Sequence, residues 1–307
     1  MQVHAQELFP SNEPASTMPK GVIGLRFLYE TYKELPSQRI RYWDALRLMY
    51  GITSNMTVML TGSASNHHPK AFPSNLQNYF INHHQRFFPA NPFLFEGLNL
   101  YVKYRIVNVD ERQKHIRVAA IGEVCKSFVP HDEAEPNLMG DNSGAGGGLI
   151  GTILYKRFVV SFTGEAVRPF PYNDKKQNIT FKAGNAWIYN LSFGYRIFPR
   201  EYKTYKDLNV NLYVEFINKH YEKAVMTQDG KPFDFDIFQY FDLVIYNSLQ
   251  ENKYSEVRSS VQLIFNSNNR IDIGIAQPFI GKSYLHFYPM FFFSLQKYFY
   301  PGSKKIS

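Results

Sequence analysis

The sequence predicts an all-β fold: one antiparallel up-and-down barrel of about twelve strands, with fourteen as the alternative, whose wall crosses a membrane. Three observations lead there. Residues 187–197 read Trp-Ile-Tyr-Asn-Leu-Ser-Phe-Gly-Tyr-Arg-Ile, with Trp187, Tyr189, Leu191, Phe193, Tyr195 and Ile197 in alternation with Asn190, Ser192, Gly194 and Arg196. Successive strand side chains point to opposite faces, so this segment has one aromatic face and one polar face, and the pattern recurs about a dozen times. No uninterrupted apolar run exceeds four residues, whereas a spanning helix needs about 20. Aromatic residues make up 17% of the chain, with 27 Phe and 22 Tyr, while mean hydropathy is only −0.33. A soluble sandwich with the same alternation would have to bury all of these rings in a core; a barrel turns them toward lipid.

The N-terminus comes first. Residues 3–7, Val-His-Ala-Gln-Glu, place small side chains as a signal-peptidase site does, without the apolar segment that precedes one. Residues 1–5 are read as the remnant of a secretory signal, and residues 6–20, rich in Pro, Ser, Asn and Glu, as a flexible periplasmic leader. The barrel is then residues 21–307. Secretion and a barrel together point to the outer membrane of a Gram-negative cell.

Twelve segments carry the alternation. They are 21–33, 39–50, 55–66, 96–108, 115–127, 147–156, 158–168, 185–198, 207–220, 254–266, 270–278 and 284–299. In the first, Ile23, Leu25, Phe27 and Tyr29 face outward, and Gly24, Arg26 and Glu30 inward. In the second, Asp44 falls on the outward face with Tyr42, Leu46 and Leu48. In the last, Phe287, Phe291, Phe293, Leu295 and Phe299 share a face, like a terminal assembly signal. Connections at 51–54, 109–114, 156–158 and 267–269 are short, and those at 67–94, 128–146, 169–184 and 221–253 are long. Short turns on one side and long loops on the other put both termini in the periplasm and the long loops outside. Residues 240–249 are apolar enough to form part of a further strand pair.

Several of these segments together, Met18–Phe27, Leu46–Ile52, Ser65–His68, Leu100–Arg105, His115–Ala120 and Gly140–Gly144, resemble a family of Bacteroidota outer-membrane barrels related to those labelled for meta-pathway phenol degradation. The resemblance runs over much of 18–168 and thins toward the C-terminus. It implies a transporter-like outer-membrane barrel in contact with outer-membrane lipid. The matching stretches are strand and turn motifs, so no substrate is carried over.

The chain has net charge +8, spread singly along strands with no basic tract, which argues against nucleic acid as a partner. Arg or Lys facing lipid at the midplane costs about 2–4 kcal/mol, so charges at barrel height belong inside. The expected lumen-lining residues are Arg26, Arg41, Arg47, Lys103, Arg105, Arg117, Arg196 and Arg258, with the acids Glu30, Glu123, Glu165, Glu215 and Asp272. Such a lining makes either a channel with a basic bias, passing a small polar or anionic solute, or a salt-bridged network filling a narrow barrel. In the second case the protein is an accessory barrel bound to a larger outer-membrane transporter complex. The aromatic stretch of Tyr79, Phe80, Phe87, Phe88, Phe93 and Phe95 would then serve as a constriction or a docking surface.

No enzyme activity and no cofactor are expected. Lipid hydrolysis is the weakest alternative. It would draw on Ser63, Ser65 and His67, close in sequence but without a Gly-x-Ser-x-Gly elbow. Imidazole is a common metal ligand, so His67, His68, His83 and His84 are the candidate ligands, against the plainer reading of solvated loop histidines. Adjacent extended residues point apart, so each His-His pair offers one ligand to a shared site. Cys125 is the sole cysteine, read as a small packed residue. The glycines at 144 and 146–148 precede no Lys-Ser/Thr, so they are read as a flexible loop beside a tight wall rather than a phosphate loop.

Overall fold

A computed structural model describes residues 9–34, 38–68, 92–129, 135–176, 178–201, 204, 207–232 and 249–300. Alternating apolar and polar side chains give sixteen strands among them: β1 (Ile23–Glu34), β2 (Arg39–Thr53), β3 (Met56–Ser65), β4 (Leu94–Asp110), β5 (Lys114–Ser127), β6 (Gly144–Tyr155), β7 (Phe158–Pro169), β8 (Tyr172–Asp174), β9 (Ile179–Lys182), β10 (Ala186–Phe198), β11 (Asn209–Tyr221), β12 (Val225–Gln228), β13 (Lys231–Pro232), β14 (Asn252–Phe265), β15 (Asn269–Ile280) and β16 (Met290–Phe299). Twelve of them form a closed barrel in which β1 joins β16, every pair antiparallel. Closure removes the unpaired strand edges that lipid could not satisfy. The fourteen-strand alternative is not what forms, although residues 240–248 lie outside the described residues.

The outer face is apolar over all twelve strands, with Leu25, Leu48, Leu60, Leu100, Leu149, Phe162, Phe193, Leu212, Ile273 and Phe291 among its exposed side chains. Asp44 stands on this face as expected, level with Tyr29 of β1. The opposite face of each strand is buried, and it carries the charge.

The short turns gather at one end of the barrel. Asn266 and Ser267 adopt φ of 51° and 58° between β14 and β15, a left-handed conformation that Asn tolerates through its short polar side chain. Opposite Pro278, which has no N–H for the ladder, the register shifts between Ser255 and Glu256.

Three expectations need correction. β6 begins at Gly144, inside what reads as a loop, because a glycine-rich stretch can still complete a ladder whose neighbours set the register. The last strand begins at Met290 rather than 284, and Phe287 lies off it, packed against Tyr32. Within the long loops, β8, β9, β12 and β13 form a separate four-stranded sheet at the long-loop end. This sheet holds the largest apolar cluster, built from Ile179, Phe181, Tyr221, Met226 and Leu249, with Cys125 packed in it as expected.

Candidate functional site

Residues 9–20 are not a free leader; they enter the barrel from the short-turn end and fill its lower lumen. The segment carries Pro10, Pro14 and Pro19 and so adds no strand. Its backbone groups instead find side chains of the wall. Met18 N–H donates to Thr57 Oγ1 at 2.8 Å, Ala15 N–H to Thr152 Oγ1 at 2.9 Å, and Asn12 N–H to Glu215 at 3.0 Å. In the other direction, Arg26 donates to the Pro10 carbonyl at 2.6 Å, Lys103 to the Pro14 carbonyl at 2.8 Å, and Arg270 to the Phe9 carbonyl at 2.9 Å. The Phe9 ring lies edge-on to Tyr213 at 5.4 Å. Composition alone makes this stretch look flexible. Inside the barrel, polar wall side chains satisfy a backbone that has no strand partner.

Above this plug lies a cavity of about 290 Å³. Pro10, Ser11, Asn12 and Glu13 form its floor; Pro136, Asn137, Leu138, Met139 and Asp141, with Leu285 and His286, form its roof. The walls include Leu28, Trp43, Tyr101, Ile121, Ile150, Ile188, Ile217 and Phe292. Glu135 anchors the roof. Its carboxylate accepts from Lys219 Nζ at 3.0 Å, Tyr254 OH at 2.7 Å, Ser283 Oγ at 2.8 Å and Tyr284 N–H at 3.1 Å. Burial alone would raise the Glu135 pKa, but the nearby Lys219 and His286 charges and these hydrogen bonds hold it below the ordinary carboxylate range. Burial likewise opposes the charge on His286, yet its hydrogen bond and charge pairing with Glu256 raise the imidazole pKa above the usual value.

The expected lumen residues divide into three groups. Arg26, Glu30, Arg47, Glu123, Glu165 and Arg258 line the cavity. Lys103, Glu215 and Asp272 are buried around the plug, where Asp272 takes Arg26 at 3.3 Å and Arg270 at 2.8 Å. Four others lie near the rims. Arg41 pairs with Glu34 at the long-loop end. At the short-turn end Arg105 donates to Ser54 and Asn55, Arg117 to Asn108 and Asp110, and Arg196 lies beside the β6–β7 turn.

A basic bias is not what the described cavity lining carries. It has six carboxylates, Glu13, Glu30, Glu123, Asp141, Glu165 and Glu256, and four fixed cations, Arg26, Arg47, Lys219 and Arg258. Each of those cations is paired, Arg47 with Glu13 at 2.8 Å and Arg258 with Glu30 at 2.9 Å. The difference arises because Glu13 and Glu135, from segments outside the wall, enter the lumen and neutralise wall cations. Sequence reasoning missed both, because neither lies in an alternating segment. Glu123 of β5 and Glu165 of β7 converge across β6. They do so over Gly146, where a Cβ would stand 2.8 Å from Glu165 Oε1 and 3.1 Å from Glu123 Oε1. The glycines of β6 thus make room for an acidic pair in the cavity wall.

His67 and His68 follow the end of β3 in a bend, and both rings turn inward with centroids 6.4 Å apart, so strand alternation does not govern them. The His67 ring meets Tyr32 OH at 3.1 Å, while His68 Nε2 lies 3.0 Å from Asp141 and 3.8 Å from Glu96. His83 and His84 lie outside the described residues, as do Tyr79, Phe80, Phe87 and Phe88. Phe95 stacks on Phe128 at 5.8 Å on the outer face. Ser63 and Ser65 are buried and face inward, with the Ser65 hydroxyl on Glu96. The hydrolase constellation therefore does not present itself to lipid.

No protein-family model matches the chain, and no curated protein matches it. Among solved structures, the chain is similar to the COG4313 outer membrane channel from Pseudomonas putida F1, at 11% identity and a TM-score of 0.60, covering 95% of this chain and 100% of that one. It is less similar to the β domain of the Bordetella autotransporter BrkA, at 11% identity and a TM-score of 0.42 over 91% of this chain and 98% of that one. LpxR from Salmonella typhimurium gives 8% identity and a TM-score of 0.39 over 90% and 100%. The first likeness shows the fold, a closed β-barrel of the kind an outer-membrane channel uses; the other two add nothing to it.

Proposed function

We propose that the protein is a gated outer-membrane channel for a small polar solute, with residues 9–20 as the gate. The observation that carries this reading is the cavity of about 290 Å³ held between plug and roof. A lumen filled throughout by paired side chains would leave no such space. The plug is held largely by hydrogen bonds and ion pairs to wall side chains. Water can replace those partners one by one, so the segment can leave without breaking the barrel ladder. The apolar outer face supports a place in the outer membrane, with termini periplasmic and long loops outside. The likeness to an outer-membrane channel supports passage of small solutes. With the plug withdrawn, Glu13 leaves the lining, and five carboxylates then face Arg26, Arg47, Lys219, Arg258 and the uncovered Lys103, a balance that suits a polar solute without net charge.

The test is conductance in a planar bilayer, with reversal potential in a salt gradient, for the wild type and a variant lacking residues 9–17. The wild type should conduct little and the deletion several-fold more, and E123Q/E165Q in the deletion background should shift its ion preference toward anions. A folded deletion variant that conducts no more than wild type sinks the gate. The paired charges at floor and roof favour one second reading, a closed accessory barrel. It predicts that same silence together with a stable co-purifying partner.

A further inference from the structure

Three buried side chains meet where the roof joins the wall. His68 follows β3, Glu96 lies near the start of β4, and Asp141 belongs to the β5–β6 loop. One ligand atom from each lies within 4.8 Å of the others. His68 Nε2 is 3.0 Å from Asp141 Oδ1 and 3.8 Å from Glu96 Oε1. Donors bound to zinc at about 2.1 Å in a tetrahedron sit roughly 3.4 Å apart, so these spacings bracket what such an ion needs.

A second observation points to a ligand. Glu96 is fully buried; its Oε1 accepts from Ser65, and among the described residues its Oε2, beside the Ser63 hydroxyl, meets no donor in good geometry. That oxygen faces Gly140, whose φ of 135° few side chains adopt. A Cβ there would collide with Ser63 Oγ and stand 3.1 Å from Glu96 Oε2. The charge balance agrees. Without a metal, two buried carboxylates beside one imidazole reach neutrality only if one of them holds a proton, whereas a divalent ion with neutral His68 takes that proton's place and balances both.

We propose that His68, Glu96 and Asp141 bind a first-row divalent transition metal, Zn²⁺ by preference, which staples the roof to the barrel wall. One imidazole nitrogen and two carboxylates suit zinc, and water can complete the tetrahedron. Asn137 donates to Asp141 Oδ2 at 2.7 Å and orients that carboxylate, as outer partners of metal ligands do. The staple joins three segments far apart in sequence. Metal binding does not depend on the channel reading, since an accessory barrel would hold the same site.

The test uses the full chain, stripped with a chelator and titrated with Zn²⁺ by calorimetry, and with Co²⁺ for its visible d–d absorption. The expected result is one ion per chain, with a Co²⁺ spectrum of mixed nitrogen and oxygen ligation. E96Q and H68Q, shown folded by their β-sheet circular dichroism, should each weaken Zn²⁺ binding at least tenfold. Wild type should also gain thermal stability on adding zinc, and E96Q should not. Absence of binding in folded wild type overturns the site. Binding that survives both E96Q and D141N overturns it too, since the ion would then sit elsewhere on the chain.

Discussion

Glu13 shows how much one side chain can do in a lumen. Its carboxylate takes Arg47 at 2.8 Å and Lys103 at 3.0 Å, and so binds the plug to β2 and β4 together. Lys103 is nearly inaccessible, at 1% exposure, and the Glu13 carboxylate is its ion-pair partner there. Breaking a buried pair from one side leaves the other charge desolvated. E13Q should therefore cost about 3 kcal/mol, read as a lower urea midpoint for unfolding from lipid. A loss under about 0.5 kcal/mol would mean that the plug does not hold Lys103. Lys103 was legible as an inward residue because Leu100, Val102, Tyr104 and Ile106 alternate around it. Glu13 was not, because it lies in a segment without period, and its partner is 90 residues away. Gly146 belongs to the same scale. G146V would drive a side chain into Glu123 and Glu165, and it should shift the ion preference of the plug-deleted channel toward anions while the barrel still forms.

At the scale of elements, the roof is the part whose hold depends on pH. Glu135 faces Lys219 on β11, Tyr254 on β14, and Ser283 and His286 in the β15–β16 loop; His286 in turn faces Glu256 on β14 and Tyr32 on β1. The lowered pKa of Glu135 means that its contribution is present above the unfolded value of 4.5 and is lost as pH falls through the folded one. The raised pKa of His286 works in the opposite sense, full below 6.5 and lost as pH rises through its folded value. Both ties are in place between those two values. Amide exchange of residues 135–143 and 283–289 should accordingly be slowest in mildly acidic buffer and faster on either side. E135Q should remove the acid limb alone; a roof equally protected from acid to neutral pH would contradict this assignment. The elements themselves read well from the alternation, with ends within a few residues in most strands. Where they did not, as at Gly144 and Met290, the ladder of a neighbouring strand decided the end rather than the local residues.

The whole molecule is a wall with two solvents. Its outer face is apolar and its inner face charge-paired, so the same substitution has different costs on each. L100R, on the outer face of β4, should lower barrel stability by roughly 2–4 kcal/mol in bilayers. Y104R, nearer the short-turn end, should cost less because the interface is close. Equal losses in an unfolding titration from vesicles would argue that this face does not meet hydrocarbon. The deletion of residues 9–17 belongs here too, since its effect on conductance tests the lumen as a single path.

By itself the sequence determined the barrel, a count of about twelve strands with fourteen left open, the outward apolar face, and the inward position of Arg26, Arg47, Glu123, Glu165, Arg258 and Asp272. All of these follow from a period of two, which each strand carries locally. Only the tertiary structure decided what fills the lumen. The plug, the Glu135 anchor, the acidic pair across Gly146 and the His68–Glu96–Asp141 cluster join residues distant in sequence. Such contacts have no periodic signature. They form because closing the barrel brings polar wall side chains around a narrow space, and irregular segments satisfy charges that the wall alone leaves unpaired.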